Sequence, residues 1–357
     1  MLTYHTFLLS KDEVLTEMPK AQLISRLDFL KLAGSAGTAF MLLPLVLFGK
    51  TLGARVPATS KPSKPVITKR VNMVGPDGVV FLYPTKPKGF DWYMNHDHPF
   101  DSHFEIGGGS TYSELVKNKD GSWTTDDNER VKFNLNVDPD YKDAIDGCNM
   151  SFKDSMARGY TYDKSDLDNV ELTGFFNVHE PTENDGVYLR GPCNHHDEGD
   201  HLCCQEFNYD CETNCNSTTE SSTVKFTKQS PNIYHNDPAG IKRIVPHVTL
   251  AGHGWFGIKY VHIILSRDMN NPKVKLEQWM NFNGDRKTWI KVNEVIDTRS
   301  YEWGPKAICE GQDYEVGAWA APRMVYKWYR GDVDFKWFSC RQIEPNLLRI
   351  RTSNTEN

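Results

Sequence analysis

The chain has 357 residues, a formal net charge of −6 and a sequence pI near 6.1. No cluster of lysine and arginine stands out after residue 70, and this absence excludes the electrostatic footprint of a nucleic-acid-binding protein. Aromatic residues make up 12% of the chain, including 9 tryptophans and 15 tyrosines, enough for stacking surfaces as well as a core.

The N-terminal region is dominated by the uncharged, apolar stretch Leu32–Phe48. It follows Ser25–Lys31 (SRLDFLK), which resembles the twin-arginine export pattern with Leu27 in place of the second arginine. An apolar stretch behind a basic flank predicts an export signal. The small residues around Ala58 favour cleavage there, whereas retention would leave an anchor helix near the lower length limit for spanning a bilayer.

These features predict four regions and an extracellular or cell-surface location. Residues 1–58 are the export signal or uncleaved anchor, and the membrane is a partner only through this segment if it is retained. Residues 59–70 are rich in Pro, Ser and Lys and read as a linker. Residues 71–345 form the folded body, and 346–357 form a C-terminal tail.

The body reads as short alternating runs separated by Gly, Asn, Asp and Pro, without a sustained helical period. The predicted strands cover residues 78–83, 103–106, 112–116, 122–125, 130–137, 170–179, 187–190, 257–265, 273–280, 288–295, 323–329 and 333–339. This pattern predicts an all-β sandwich or barrel.

The cysteines all follow the predicted signal, and their even number predicts four disulfides in an exported chain. Their connectivity stays open. The eight residues are Cys148, Cys193, Cys203, Cys204, Cys211, Cys215, Cys309 and Cys340. Two acceptor triplets for N-glycosylation begin at Asn149 and Asn216, which suggests a glycoprotein.

Several strand sequences resemble a concanavalin A-like jelly roll. They are DNVELTGFF at 168–176, YLRG at 188–191, GIKYV at 257–261, VKLEQW at 274–279 and VDFKW at 333–337. Secreted polysaccharide lyases of the alginate-lyase and glucuronan-lyase type are similar to this pattern over residues 160–345. The resemblance implies a jelly-roll sandwich of two antiparallel sheets and an extracellular or cell-wall polysaccharide as partner.

Such lyases cleave uronate glycans by β-elimination, which requires a carboxylate-binding donor, a base and an acid. We expect Arg190, helped by Asn177, to bind the carboxylate because a guanidinium matches it bidentately. The base would be His179 or His262. The acid would be Tyr188 or Tyr260.

Strand alternation places these candidates on one groove face. The substrate-binding candidates on that face are Glu171, Thr173 and Phe175. Tyr188 and Arg190 would extend the face from a neighbouring strand in register. The R-x-E-x-R and Q-x-H motifs of alginate lyases are absent, however. Arg190 and Glu171 could therefore form a structural ion pair. The alternative function is a non-catalytic glycan-binding or cell-surface protein on the same fold.

Two segments suggest metal sites beside simpler interpretations. The cysteine-rich segment 192–215 is best explained by disulfides at the edge of the groove. A site built from His195, His196 and His201 is the alternative, because imidazole is a common metal ligand. The turn 281–285 (NFNGD) offers oxygen ligands for calcium, but its Asn-Gly pair also explains it as a hairpin.

Overall fold

The computed structural model describes residues 73–107, 110, 115–125, 130–137, 139, 167–179, 186–193, 208–215, 222–229, 234–236, 240, 242–243, 249–268, 270–298, 303, 316, 323–329 and 332–346. All of these lie in one compact unit, Val66–Asn357. The predicted signal, the linker, both glycosylation triplets and His195, His196 and His201 lie outside the described residues. Within the described ranges, no helix is long and apolar enough to cross a membrane.

The regular secondary structure of the described residues consists of strands, without a helix. The strands are β1 Asp91–Tyr93, β2 Phe104–Ile106, β3 Leu115–Lys117, β4 Trp123–Thr125, β5 Val131–Asn136, β6 Val170–Val178, β7 Gly186–Cys193, β8 Asn208–Asn214, β9 Thr223–Gln229, β10 Tyr234–Asn236, β11 Lys242–Arg243, β12 Phe256–Ser266, β13 Lys273–Asn281, β14 Ile290–Thr298, β15 Arg323–Tyr329 and β16 Val333–Gln342.

The strands form two antiparallel sheets, which confirms the all-β, two-sheet part of the predicted fold; the predicted N-terminal helix lies outside the described residues. The first sheet has the order β14-β13-β12-β6-β16-β4-β3, with β1 paired to β16. The second has the order β10-β9-β8-β7-β15-β5-β2, with β11 paired to β9. Successive strands cross from one sheet to the other, as β4, β5, β6 and β7 do, which is typical of a jelly roll.

The core lies between the sheets and follows from the alternation of apolar residues. In β6, Leu172 and Phe176 point inward, and in β15, Met324, Tyr326 and Trp328 do so. Tyr326 stacks on Phe338 of β16 at a ring-centroid distance of 4.3 Å and donates a hydrogen bond to the Ser339 carbonyl. Burying each such aromatic side chain stabilises the fold by roughly 1.5–3 kcal/mol, so these rings help hold the sheets together.

One predicted strand, 78–83, does not form a ladder. Within the described part of the chain, its only β-bridge is the isolated one between Val74 and Val80, and the segment lies over the outer face of the first sheet. The backbone N–H groups of Leu82 and Tyr83 donate to the carboxylate of Glu171. This segment is apolar because it covers a sheet face and not because it belongs to a sheet.

The disulfide prediction is wrong for the three cysteines whose side chains the structure describes. Cys211, Cys215 and Cys340 form no disulfide and are buried as thiols. The side chains of Cys211 in β8 and Cys340 in β16 pack in the core as small apolar groups, and burial raises the pKa of both thiols. The remaining five fall outside the described side chains, so pairing among them stays a prediction.

The cysteine-rich segment 192–215 was predicted to be a loop at the edge of the groove, and this is wrong for its last part. Its final part belongs to β8, which lies inside the second sheet between β7 and β9. Tyr209, Cys211 and Thr213 alternate with Asp210 and Glu212, so polar side chains line the opposite face.

Candidate functional site

Polar side chains cover the outer face of the second sheet in cross-strand rows. Antiparallel pairing fixes these rows, because directly opposed residues share a face and have Cβ atoms about 5 Å apart. One row, from β5 through β15, β7 and β8 to β9, is Lys132, Lys327, Tyr188, Glu212 and Lys225. The next row is Asn134, Val325, Arg190, Asp210 and Thr227. We call this face the Lys327 face.

The amine of Lys327 lies between two tyrosine rings. Its Nζ is 4.4 Å from the ring centroid of Tyr329 and 5.7 Å from that of Tyr188, and the two rings meet edge to face. The residue is 6% exposed. Among the described residues, the amine has no hydrogen-bonded or ion-paired carboxylate, so aromatic faces replace the water around its charge.

This environment lowers the pKa of Lys327 to about 7. Burial is the largest cause, because it penalises the charged form, and the positive charges of Arg190, Arg130 and Lys132 act in the same direction. Asp210 opposes them. Lys327 therefore loses its proton near neutral pH, whereas an ordinary lysine keeps it.

Arg190 forms a buried ion pair with Asp210 beside this lysine. Its Nε donates to one carboxylate oxygen at 2.5 Å and one of its Nη atoms donates to the other at 2.9 Å. Arg190 is 2% exposed. The bidentate contact fixes the guanidinium in one orientation. The predicted alternative, an ion pair between Arg190 and Glu171, is wrong, because the two residues lie in different sheets.

At one edge of the Lys327 face, hydrogen bonds join Arg323 to Asn136 and Asn136 to Glu105. Arg323 Nε donates to Asn136 Oδ1 at 2.7 Å, and Asn136 Nδ2 donates to Glu105 at 2.9 Å. The pKa of Glu212 is raised, mainly by burial and then by Asp210. The pKa of the Tyr188 hydroxyl is also raised, first by burial and then by Glu212. Tyr188 thus keeps its proton across the physiological pH range.

The structure separates the predicted site residues into three groups. Tyr188 and Arg190 share the Lys327 face, as alternation within β7 predicted. They do not extend the face of β6, because β7 pairs with β8 and β15 in the other sheet. Tyr260 and His262 face the interior of the sandwich, where Tyr209 lies against His262, so their expected position on the groove is wrong.

The β6 residues that were predicted to face the groove, together with His179 just after the strand, lie on the outer face of the first sheet. This group comprises Glu171, Thr173, Phe175, Asn177 and His179. Glu171 is fully buried, forms ion pairs with Lys259 and Arg341, and is covered by the segment around Leu82, so a glycan cannot reach it in this structure. Asn177 and His179 instead line an open pocket farther along the strand.

Sequence reasoning missed Lys327, Lys132 and Arg323. A usable signal was present in β15, where Arg323 and Lys327 alternate with Met324, Tyr326 and Trp328. That alternation assigns the charged residues to the outer face. It does not show which strand lies beside them, and this pairing brings Lys327 to Tyr188.

The turn 281–285 forms the hairpin between β13 and β14. The carboxylate of Asp285 accepts hydrogen bonds from the Asn281 and Asn283 side chains and from the Lys287 and Thr288 backbone N–H groups. It also accepts one from the Thr288 hydroxyl. Against the effect of burial, these donors keep the pKa of Asp285 well below its usual range, and they hold the turn closed. Among the described residues, no group of three or more His, Cys, Asp and Glu side chains could hold a metal.

No protein-family model matches the chain, and no curated protein is significantly similar to it in sequence. An alginate lyase bound to an alginate trisaccharide is 9% identical, with a TM-score of 0.38 over 73% of this chain and 100% of the lyase. The legume lectin-like domain from Entamoeba histolytica is 11% identical, with a TM-score of 0.34 over 67% of this chain and 88% of that domain.

A GH43 glycoside hydrolase is 10% identical, with a TM-score of 0.37 over 69% of this chain; the match spans only 39% of the hydrolase. The resemblance to jelly-roll lyases read from the sequence thus has a counterpart among solved structures. At these TM-scores the likeness carries no argument about activity, so any function must be argued from the site itself.

Proposed function

We propose that the Lys327 face cleaves a uronate-containing glycan by β-elimination. The observation that carries this proposal is the buried amine of Lys327, whose pKa is lowered to about 7 between two tyrosine rings. A base with a pKa near the working pH is well suited to proton transfer. A lysine with this environment is also expensive to maintain in a fold, which favours a functional role.

The reaction needs three roles, and neighbouring residues fit them. Lys327, as the neutral amine, takes the proton from the carbon next to the sugar carboxylate. The electron pair then forms the new C=C bond and breaks the bond to the glycosidic oxygen. Tyr188 donates its hydroxyl proton to that leaving oxygen, and its raised pKa keeps the proton available.

Positive charge around Lys327 suits the anionic substrate. Lys132 stands directly opposite Lys327, Arg190 lies in the adjoining row, and Arg323 lies in the row beyond it. These cations would stabilise the negative charge that builds up on the substrate carboxylate as its neighbouring proton leaves.

The alternative is a non-catalytic glycan-binding protein, and the low exposure of Arg190 and Lys327 favours it. In that case the Arg190 guanidinium, already bound to Asp210, would stabilise the sheet, and Tyr188 and Tyr329 would form a stacking surface for a sugar.

For either function, we propose that the chain acts outside the cell on a polysaccharide. That part of the proposal rests on the predicted export signal in residues 1–58.

The test is an assay with alginate, polyglucuronate and polygalacturonate that follows the absorbance of the new C=C bond. We expect the rate on at least one of them to rise between pH 6 and pH 8, because the neutral fraction of Lys327 grows through its pKa of about 7. Lys327→Met and Lys327→Arg should each reduce the rate by at least ~100-fold, since methionine has no base and arginine stays protonated.

The matched control is Lys273→Met on the first sheet, which should keep the wild-type rate. Binding of a uronate polymer without any product would support the non-catalytic alternative. Equal rates for the wild type and Lys327→Met would reject Lys327 as the base.

A further inference from the structure

The outer face of the first sheet carries an open pocket that the proposed lyase chemistry does not use. Its volume is about 660 Å³. It lies at the end of the sheet where β6, β16 and the β3–β4 turn meet. The lining residues are Asn118, Asp120, Ser122, Thr124, Asn177, His179, Trp255, Asp332 and Asp334. We call it the Trp255 pocket. The core of the sandwich separates it from the Lys327 face.

The polar side of this pocket is held in place by Asp334. One carboxylate oxygen accepts hydrogen bonds from Thr124 Oγ1 at 2.5 Å and Asn118 Nδ2 at 3.2 Å. The other accepts them from Asn177 Nδ2 at 3.1 Å and His179 Nε2 at 2.7 Å. The four partners are therefore fixed before any ligand arrives, with hydroxyl, amide and imidazole groups at the pocket wall.

The aromatic side consists of Trp255 and the neighbouring Trp337. Their ring centroids are 6.3 Å apart, and the ammonium of Lys336 lies 3.8 Å from the first ring and 4.3 Å from the second. Trp337 also meets Phe175 edge to face at 5.1 Å. Both indoles are partly exposed, and the Arg286 guanidinium also lies 4.7 Å from the Trp337 ring centroid.

A β-bulge turns Trp337 toward this surface. The register of β16 against β6 shifts between Lys336 and Ser339, and Trp337 has a φ of 53°. Regular alternation after Phe335 would send Trp337 into the core, but Phe338 takes that place. A positive φ is unfavourable for a bulky residue, and bulges that re-aim a side chain are common beside functional sites.

These features favour a sugar ring without a carboxylate as ligand. An indole face packs against the C–H face of a pyranose, while amide, hydroxyl and carboxylate groups bind its hydroxyls. The carboxylates of Asp120, Asp332 and Asp334 would repel a uronate. They also do not form the acid–base pair of a hydrolase. Asp120 is paired with Lys336, and Asp334 already accepts four hydrogen bonds.

We propose that the Trp255 pocket binds a neutral pyranose unit of a glycan, as a second carbohydrate site independent of the Lys327 face. It would attach the protein to a neutral polysaccharide while the opposite sheet meets a uronate chain. This inference does not depend on lyase activity, because none of its residues belongs to the Lys327 face.

The experiment is calorimetric titration of the full chain with cellohexaose, mannohexaose and xylohexaose, with trigalacturonate as the anionic comparison. We expect at least one neutral hexaose to bind and to change tryptophan fluorescence. Trp255→Ala should weaken that binding at least ~10-fold. Asp332→Arg, at an exposed position of the rim, should do the same even if Trp255→Ala does not fold.

Lys119→Ala, in the same turn but outside the lining, is the control and should bind as the wild type does. Lys327→Met should also keep the neutral-sugar affinity, which separates this site from the proposed lyase site. The proposal is overturned if no neutral hexaose binds at millimolar concentration, or if the folded Trp255→Ala and Asp332→Arg variants bind as tightly as the wild type.

Discussion

Lys327 lowers the stability of the fold in the pH range where we expect it to act as a base. Its pKa is about 7 in the folded chain against an ordinary value of 10.5, so the unfolded chain holds the proton more tightly. Between pH 7 and pH 10.5 the unfolded state binds more protons, and the stability therefore rises with pH across that window. Below pH 7 the full penalty of burying the charge is present.

Lys327→Met should consequently stabilise the protein at pH 6, because methionine has a similar length and no charge. We expect a rise in Tm of at least ~2 °C by calorimetry at pH 6 and a smaller difference at pH 10. A variant that is less stable than the wild type at both values would show that the amine is not destabilising.

The positions of Tyr188 and Arg190 show how far the sequence predicts single residues. Their common face follows from alternation within β7, and the structure has both on the Lys327 face. The partner of Arg190 could not be predicted, since Asp210 lies in a stretch whose cysteines indicated a disulfide-bonded loop. Alternation of Tyr209 and Cys211 with Asp210 was the available signal for a strand there.

The polar residues of β6 have different roles along the same strand, and Glu171 is structural. Its carboxylate is 2.5 Å from the amine of Lys259 and 2.7 Å from the guanidinium of Arg341, and all three side chains are buried. Charge pairing with Arg341 and then Lys259 lowers the pKa of Glu171 against the effect of burial. It therefore stays ionised in the folded chain at neutral pH.

Glu171→Gln should destabilise the fold by roughly 3–5 kcal/mol, because it leaves two buried cations without their carboxylate. In the wild type this contribution is present above pH 4.5, the ordinary value, and is lost as the pH falls through the lowered pKa. Urea unfolding at pH 7 and pH 3 measures both effects. Glu294→Gln, in an exposed pair with Lys291, is the control and should change stability by less than ~0.5 kcal/mol.

At the scale of the whole molecule, the sequence predicts the sandwich better than the site. Alternation is a local property, so strands such as β5, β6 and β13 can be read from it directly. The placement of β6 and β7 in different sheets, and of β7 beside β15, depends on pairing between distant parts of the chain. The predicted single groove therefore divides in two, with Asn177 and His179 on one sheet and Tyr188 and Arg190 on the other.

One buried polar cluster joins the two sheets through the core. Asp297 of β14 accepts hydrogen bonds from Lys228 of β9 at 2.8 Å, from the Tyr209 hydroxyl of β8 and from the Trp303 indole at 3.0 Å. The side chains of Lys228 and Asp297 are both completely buried. The carboxylate from the first sheet thus accepts hydrogen bonds from a charged and a neutral donor of the second sheet and from the Trp303 indole.

Asp297→Asn should cost roughly 3–5 kcal/mol, because the amide still accepts a hydrogen bond from a neutral donor but takes away the buried negative charge 2.8 Å from the Lys228 ammonium. Adding Lys228→Met removes the positive charge as well, so the double variant should be more stable than Asp297→Asn alone. A double-mutant cycle from urea unfolding measures the coupling, which we expect to exceed ~1 kcal/mol. Additive effects would mean that each residue stabilises its own sheet separately. Strong coupling would identify this ion pair as a polar link that fixes one sheet against the other.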